Sequence, residues 1–465
     1  MRNDEDELQG YHGYVRRKLK QAGVGIWSVV KIQKQEQEFR GIILPRSELG
    51  DDRHVVLKLE DGYDVGIRLD ENTVIREISR KPAHYKLPEK KIALDSSKPS
   101  VTLLGTGGTV ASRLDYRTGA VIPAFTPQEL FSAVPELSEI CNLTPKTLFE
   151  IFSENMRPEY WIKIAESIAR EMNDEKADGI IIAHGTDTMS YTSAALSFMI
   201  KNLPAPVVLV GSQRSSDRPS SDAARNLIHA ATLASYGDIA EVVVCMHGSS
   251  SDDYALIHRG TRVRKMHSSR RDAFRTIGDI PMGVVKDSTI TMLKKDYRRR
   301  KDCEVELDIK LDPKVALLYF HPGMQADIID HLIDREYSGI ALIGTGLGHI
   351  SNTLYDSVER AIQEGIAVVM TVQTLWGYTG MNVYESGRKL LSMGVIPGAN
   401  MLPETSLVKL MWVLGHTENR DEIRKLFTTN VAGEITSRET YDGYIVLQGV
   451  EDSVLPLKNQ KPSSE

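Results

Sequence analysis

Little in this chain would take it out of a reducing, aqueous compartment. Its 465 residues include only three cysteines, Cys141, Cys245 and Cys303, far apart and without a C-x-x-C spacing. That excludes a disulfide framework and a thiolate zinc site, and leaves each thiol as a small packing residue. No apolar run approaches the ~20 residues of a membrane span. The acidic start, Met1-Arg2-Asn3-Asp4-Glu5-Asp6-Glu7, lacks the apolar core of a signal peptide. Together these absences predict a cytoplasmic protein with no membrane association. The net charge of −6 is mild, so no chain-wide basic surface advertises nucleic acid. No group of His, Cys, Asp and Glu has metal-ligand spacing, so no metal is expected.

The chain is organised around Val101-Thr102-Leu103-Leu104-Gly105-Thr106-Gly107-Gly108-Thr109. An apolar run entering three glycines predicts a buried parallel strand that ends in a tight turn. Glycine lets that turn adopt positive φ and lets a ligand approach the backbone. Taken alone, the stretch also fits a phosphate-cradling loop or a plain turn. A second stretch repeats the grammar: Gly179-Ile180-Ile181-Ile182-Ala183-His184-Gly185-Thr186-Asp187-Thr188. Here too an apolar strand delivers hydroxyls and a carboxylate at its carboxyl end, the edge where open α/β sheets bind ligands.

Around these strands the chain divides into five parts. Residues 1–92 hold a basic helical stretch, Tyr11 to Ala22, and five short strand-like runs within 28–78. Their near-regular spacing predicts a small SH3-like β-barrel, a module that usually binds a macromolecule or braces a neighbour. Residues 93–293 alternate strands with helical patterns such as Pro158 to Met172, where Trp161, Ile164, Ala165 and Ile168 share a face. Residues 294–311 form a connector opening on Lys294-Lys295-Asp296-Tyr297-Arg298-Arg299-Arg300-Lys301. That run reads first as a solvated link, and second as a contact for RNA phosphates. Residues 312–440 alternate again as a second α/β lobe, and 441–465 read as a strand and a polar tail. The Gly344-Thr345-Gly346-Leu347-Gly348-His349 turn lacks the spacing of a dinucleotide fingerprint.

The two motifs in this order resemble the asparaginase/glutaminase family, from about Pro99 to about Thr436. The N-terminal module adds a resemblance to the archaeal branch that serves tRNA-dependent amidation. The resemblance implies an α/β fold: a two-lobed, asparaginase-like parallel-sheet core behind a small barrel. It implies an amidohydrolase that releases ammonia from asparagine or glutamine through an acyl-enzyme. Thr109 is the implied nucleophile, Thr186, Asp187 and Lys265 a second reactive cluster, and Tyr116 a loop relay that can equally be a packing residue. Ser153, Glu154 and Gly108 are the implied substrate contacts; Ser153 also reads as a helix cap before Pro158. Glu154 stands where the family commonly has glutamine. His184 reads as a satisfied core histidine. No cofactor is implied in this chain, whereas ATP and Mg2+ belong to the reaction of a synthetase-like partner subunit. The implied assembly is a homodimer within a heterotetramer that receives glutamyl-tRNA(Gln). Two other readings remain: a stand-alone cytoplasmic L-asparaginase, and a non-catalytic nucleotide-binding module, which would lack the P-loop lysine.

Overall fold

The computed structural model describes residues 8, 10–46, 50–59, 64–80, 95–107, 112–115, 120–123, 134, 136–214, 221–439 and 443–444. The expected N-terminal module is a helix, Gly13–Gln21, followed by five antiparallel strands, Ser28–Lys34, Gln37–Ile43, His54–Leu59, Asp64–Arg68 and Val74–Arg80. The third and fourth strands pair in sequence beside the second, and the fifth returns to the free side of the first. Alternation decides the faces. Val30, Ile32, Ile43, Val55, Leu57 and Ile67 point inward with Val15 and Leu19 of the helix, and form a core of their own.

The large lobe is built on an eight-stranded sheet. Its parallel part runs, across the sheet, Asn142–Ile151, Ser100–Gly107, Gly179–Ala183, Val207–Val210 and Val242–His247. In chain order this is 2-1-3-4-5, so the strand order reverses between Ser100–Gly107 and Gly179–Ala183. A crevice opens at the carboxyl ends of the strands flanking such a reversal. The two motif strands are therefore adjacent and parallel, with Ala183 opposite Gly105. Every residue of Gly179–Ala183, Val207–Val210 and Val242–His247 is buried, as expected for strands covered on both faces. Polar Thr102 tolerates the same burial because its hydroxyl donates to Glu171 Oε2 (3.1 Å), and Lys146 answers that carboxylate at 2.6 Å.

The alternating strand–helix pattern misses an antiparallel extension: Ala255–Arg259, Gly283–Lys286 and Thr289–Met292 continue the sheet beyond Val242–His247. The second lobe is a four-stranded parallel sheet, Val315–Tyr319, Gly339–Gly344, Ala367–Val372 and Ile396–Pro397, in sequential order. Its helix Pro403–Leu414 packs Trp412 on Phe198 of the large lobe at 6.0 Å between rings, inside one continuous apolar core. Among the described residues, no helix is long and apolar enough to cross a membrane.

The basic connector is largely structural. Arg300 donates to the carbonyls of Asp178, Ala234, Ser235 and Gly237. Arg299 pairs with Asp238 at 2.6 Å, and Lys294 with Asp279 at 2.5 Å. Asp178 precedes the Gly179–Ala183 strand, so Arg300 fastens the amino-terminal edge of the sheet, opposite the crevice. The Lys-, Pro- and Ser-rich stretch from Pro82 to Ser100 reads as a linker; its residues 82–94 lie outside the described residues, and Ser100 already opens the strand Ser100–Gly107. The strand and tail expected within 441–465 also lie outside the described residues, apart from Gly443 and Tyr444.

Candidate active site

The crevice is assembled from strand tips. Thr106, buried, donates its hydroxyl to the Ala183 carbonyl at 2.9 Å and so locks the two motif strands together at their ends. Gly107 follows at φ +100°, a conformation L side chains rarely adopt. Gly108, Thr109 and Tyr116 lie outside the described residues.

At the neighbouring tip three of the expected residues meet. Lys265 Nζ donates to Thr186 Oγ1 at 2.8 Å and to Asp187 Oδ1 at 2.7 Å. The side chain of Lys265 is 13% exposed and that of Asp187 67%. The cation thus sits inside while the carboxylate is exposed at the strand tip. Lys265 comes from a two-stranded ribbon, Val263–Lys265 paired with Phe274–Thr276. Seventy-nine residues of chain separate it from Thr186, which is why local pattern alone does not identify it.

Ser153 and Glu154 open a single 3-10 turn, Ser153–Asn155. Ser153 is buried and Glu154 exposed. The turn is fastened to the site because Thr188 donates its hydroxyl to the Ser153 carbonyl at 2.7 Å. Gly185 has no room for a side chain, since a Cβ there would stand 2.7 Å from Cβ and Oγ of Ser153. The helix-cap alternative for Ser153 is not realised: the following helix begins at Pro158, with Arg157 at its N-cap and no side-chain cap. Two further residues shape the site without a sequence signal beyond the motif itself. Thr188 holds the turn. Gly211, at the tip of the next strand, leaves space for the Thr186 methyl, which a Cβ would approach to 2.7 Å.

His184 is the satisfied core histidine the sequence predicts. Its Nδ1 lies 2.6 Å from the Gly185 carbonyl, which can only accept, so Nδ1 carries the proton. Nε2 then accepts from the Thr192 hydroxyl at 2.9 Å, and Thr192 Oγ1 accepts from Trp161 Nε1 at 3.0 Å. With both nitrogens occupied, the ring cannot serve as base or metal ligand. Burial pushes its pKa down to about 4.

Burial does the same to His229, down to about 4, and to His258, down to about 3. An unfolded histidine binds its proton near pH 6.5; these folded ones do so only well below that. The unfolded chain therefore binds more protons across the window between, so their contribution to stability is complete above ~6.5 and is lost as pH falls toward 4. Each ring adds up to ~1.4 kcal/mol per pH unit. A urea midpoint that stays flat from pH 7 to about 4.5 would contradict this assignment.

Comparison with known proteins agrees with the geometry. Residues 100–298 match the family described as Asparaginase, N-terminal, and 314–427 the Glutaminase/Asparaginase C-terminal domain. Residues 25–77 match the GatD N-terminal domain. Among solved structures, the thermostable L-asparaginase from Thermococcus kodakarensis superposes with a TM-score of 0.66 at 36% identity, over 72% of this chain and 99% of that one. The probable cytoplasmic L-asparaginase from Campylobacter jejuni gives 0.60 at 28%, over 72% and 100%. Fold and site together define an amidohydrolase of the asparaginase/glutaminase class.

Full-length similarity is more specific. The GatD subunit of glutamyl-tRNA(Gln) amidotransferase from Pyrococcus abyssi is 53% identical over 437 residues, 92% of this chain and 98% of that one. Its counterpart from Methanopyrus kandleri is 48% identical over 446 residues, 94% and 97%. This chain belongs to the GatD family of glutamyl-tRNA(Gln) amidotransferase subunits.

Proposed function

We propose that this cytoplasmic chain hydrolyses the side-chain amide of asparagine or glutamine and passes the ammonia to a synthetase-like partner subunit, which amidates glutamyl-tRNA(Gln). The observation that carries the reading is the Lys265–Thr186–Asp187 trio at the strand-order reversal, beside the tip that leads into Gly108 and Thr109. An amide needs a nucleophile, a route for its proton, donors for the oxyanion and a proton for the departing ammonia. In this scheme the Thr109 hydroxyl adds to the carboxamide carbon. Ammonia leaves with a proton, and water then cleaves the acyl-enzyme to release aspartate or glutamate. Lys265 and Asp187 hold the Thr186 hydroxyl in one orientation as the second reactive group, and Tyr116 relays protons from its loop. Ser153 donates to the substrate's carboxylate, Glu154 receives its ammonium with Asp187 also facing it, and the backbone N–H groups after Gly107, Gly108 and Gly185 serve as oxyanion donors. ATP and Mg2+ are consumed by the partner, and two copies of this chain pair within a heterotetramer.

The stand-alone asparaginase alternative accounts for the lobes but not for the barrel, since the asparaginases superpose on only 72% of the chain. A glycine-turn nucleotide module would have no use for the partly buried lysine. The deciding experiment measures ammonia release by the purified chain alone, then with the co-purified partner and glutamyl-tRNA(Gln). We expect slow release alone and at least ~10-fold acceleration in the complex, a coupling of about 1.4 kcal/mol or more. Full turnover alone, unchanged by the partner, would favour the stand-alone enzyme. No turnover in either state, with a nucleotide bound, would favour the third reading.

A further inference from the structure

We propose that Arg262 is the positioning residue for Lys265, fixing where the amine stands by tying its ribbon to two segments of the second lobe. The proposal rests on Lys265 serving the site as above, but its first readout needs no turnover.

The ribbon bearing Lys265 has only three residue pairs, Val263 with Thr276, Arg264 with Arg275 and Lys265 with Phe274. A two-stranded ribbon is marginal without support, and a long lysine stem is free to adopt many rotamers. Something else must therefore hold the Nζ within 2.8 Å of its two partners. The residues just before and within the ribbon supply it. The Thr261 hydroxyl donates to the Ala432 carbonyl at 3.0 Å, and its own carbonyl accepts from Thr405 at 2.9 Å. Arg264 pairs with buried Glu404 at 2.7 Å.

Arg262 lies at the centre and is the largest fully buried side chain among the described residues. Its Nη1 donates to the Asn400 carbonyl (2.9 Å), Nη2 to Asn400 Oδ1 (3.0 Å) and Nε to the Gly433 carbonyl (3.2 Å). Asn400 is itself fixed, donating from Nδ2 to Thr436 Oγ1 at 2.7 Å and accepting from Thr436 N at 3.2 Å. The Arg262 carbonyl accepts from Ile277 N at 2.9 Å, just past the second ribbon strand. Arg262 thus fixes the start of the ribbon against two segments of the second lobe, at Asn400 and at Gly433, and through its backbone against the return strand. Burying a charge is costly, and apolar side chains would join two lobes without that cost. What only the planar fork supplies is fixed direction at three acceptors, which a lysine ammonium cannot reproduce.

The test is Arg262→Lys in the full chain, which keeps the charge and loses the fork. Acetic anhydride labelling, read by peptide mass spectrometry against exposed Lys389, should show Lys265 reacting several-fold faster. Lys294 and Lys409, both paired with carboxylates in the interior, should stay protected. Asparagine turnover should fall roughly 10- to 100-fold in kcat with little change in KM. Unchanged Lys265 labelling in the folded variant overturns the proposal. So does an equal rise at Lys294 and Lys409, which means general loosening. If Arg262→Lys does not fold, Asn400→Ser, which removes the Nη2 acceptor, is judged by the same labels. Absence of turnover in the unaltered chain strikes the amidohydrolase reading, and leaves the labelling to judge Arg262.

Discussion

Thr109→Ala and Lys265→Met should each lower ammonia release from asparagine by roughly a thousandfold or more, a loss of ~4 kcal/mol in transition-state stabilisation. The two losses have different causes. Alanine at 109 removes the oxygen that would bond to carbon, so no acyl-enzyme forms; Thr109→Ser keeps the hydroxyl and should keep part of the rate. Methionine at 265 preserves the stem and its packing but removes the donor that reaches Thr186 at 2.8 Å and Asp187 at 2.7 Å. The Thr186 hydroxyl then loses its orientation, and the carboxylate loses its counter-charge. Ammonia assays on the complex, with circular dichroism to confirm folding, check both. Wild-type turnover in Thr109→Ala would remove it as nucleophile. Wild-type turnover in Lys265→Met would reduce the trio to an ion pair of the scaffold.

Strands announce themselves where burial on both faces makes the local pattern redundant. Ile180-Ile181-Ile182-Ala183 reads correctly because four apolar residues between glycine and a small turn leave few alternatives. The Pro158–Asn173 helix is legible for a related reason, proline at its first position followed by an apolar stripe. Asn142–Ile151 is not, because it is an edge strand carrying Pro145, with partly exposed side chains along its length. The stretch Ser190 to Asn202 reads along the sequence as one helix, yet the helix, Met189–Met199, ends sooner because Ile200 and Lys201 pair instead with Leu307 and Glu306. That partner lies over a hundred residues away, and no local window contains it. The site divides in the same way. Thr186, Asp187 and Thr188 sit in a short motif that can be read along the chain. Ser153 and Lys265 are reached only through family resemblance, and Gly211 and Arg262 not at all. Their roles exist only once strand order has brought three tips and the second lobe together.

Glu434→Leu should destabilise the protein by about 3–5 kcal/mol, and Lys409→Met by less. Both side chains are fully buried, with Lys409 Nζ 2.5 Å from Glu434 Oε1. Each would keep different company if orphaned. Glu434 also accepts from the backbone N–H groups of Val431 and Ala432, at 3.0 and 2.6 Å, so a stranded carboxylate is still solvated by the protein. Lys409 would retain only the Thr429 carbonyl at 2.6 Å and the faces of Phe198 and Phe427, while burial already disfavours its charged form. Removing the carboxylate therefore leaves the costlier defect, roughly 10 °C in the thermal midpoint of the lobes at ~2–4 °C per kcal/mol. Replacing both residues together with methionine and leucine should recover most of the loss, because two apolar side chains of similar volume carry no desolvation cost. A double variant that melts as low as Glu434→Leu would show that packing, not charge, dominates there. The pair also adjoins Gly433, whose carbonyl holds Arg262. Glu434→Leu should accordingly raise Lys265 labelling as well, and the double variant should restore protection only as far as it restores the 432–436 segment to its place.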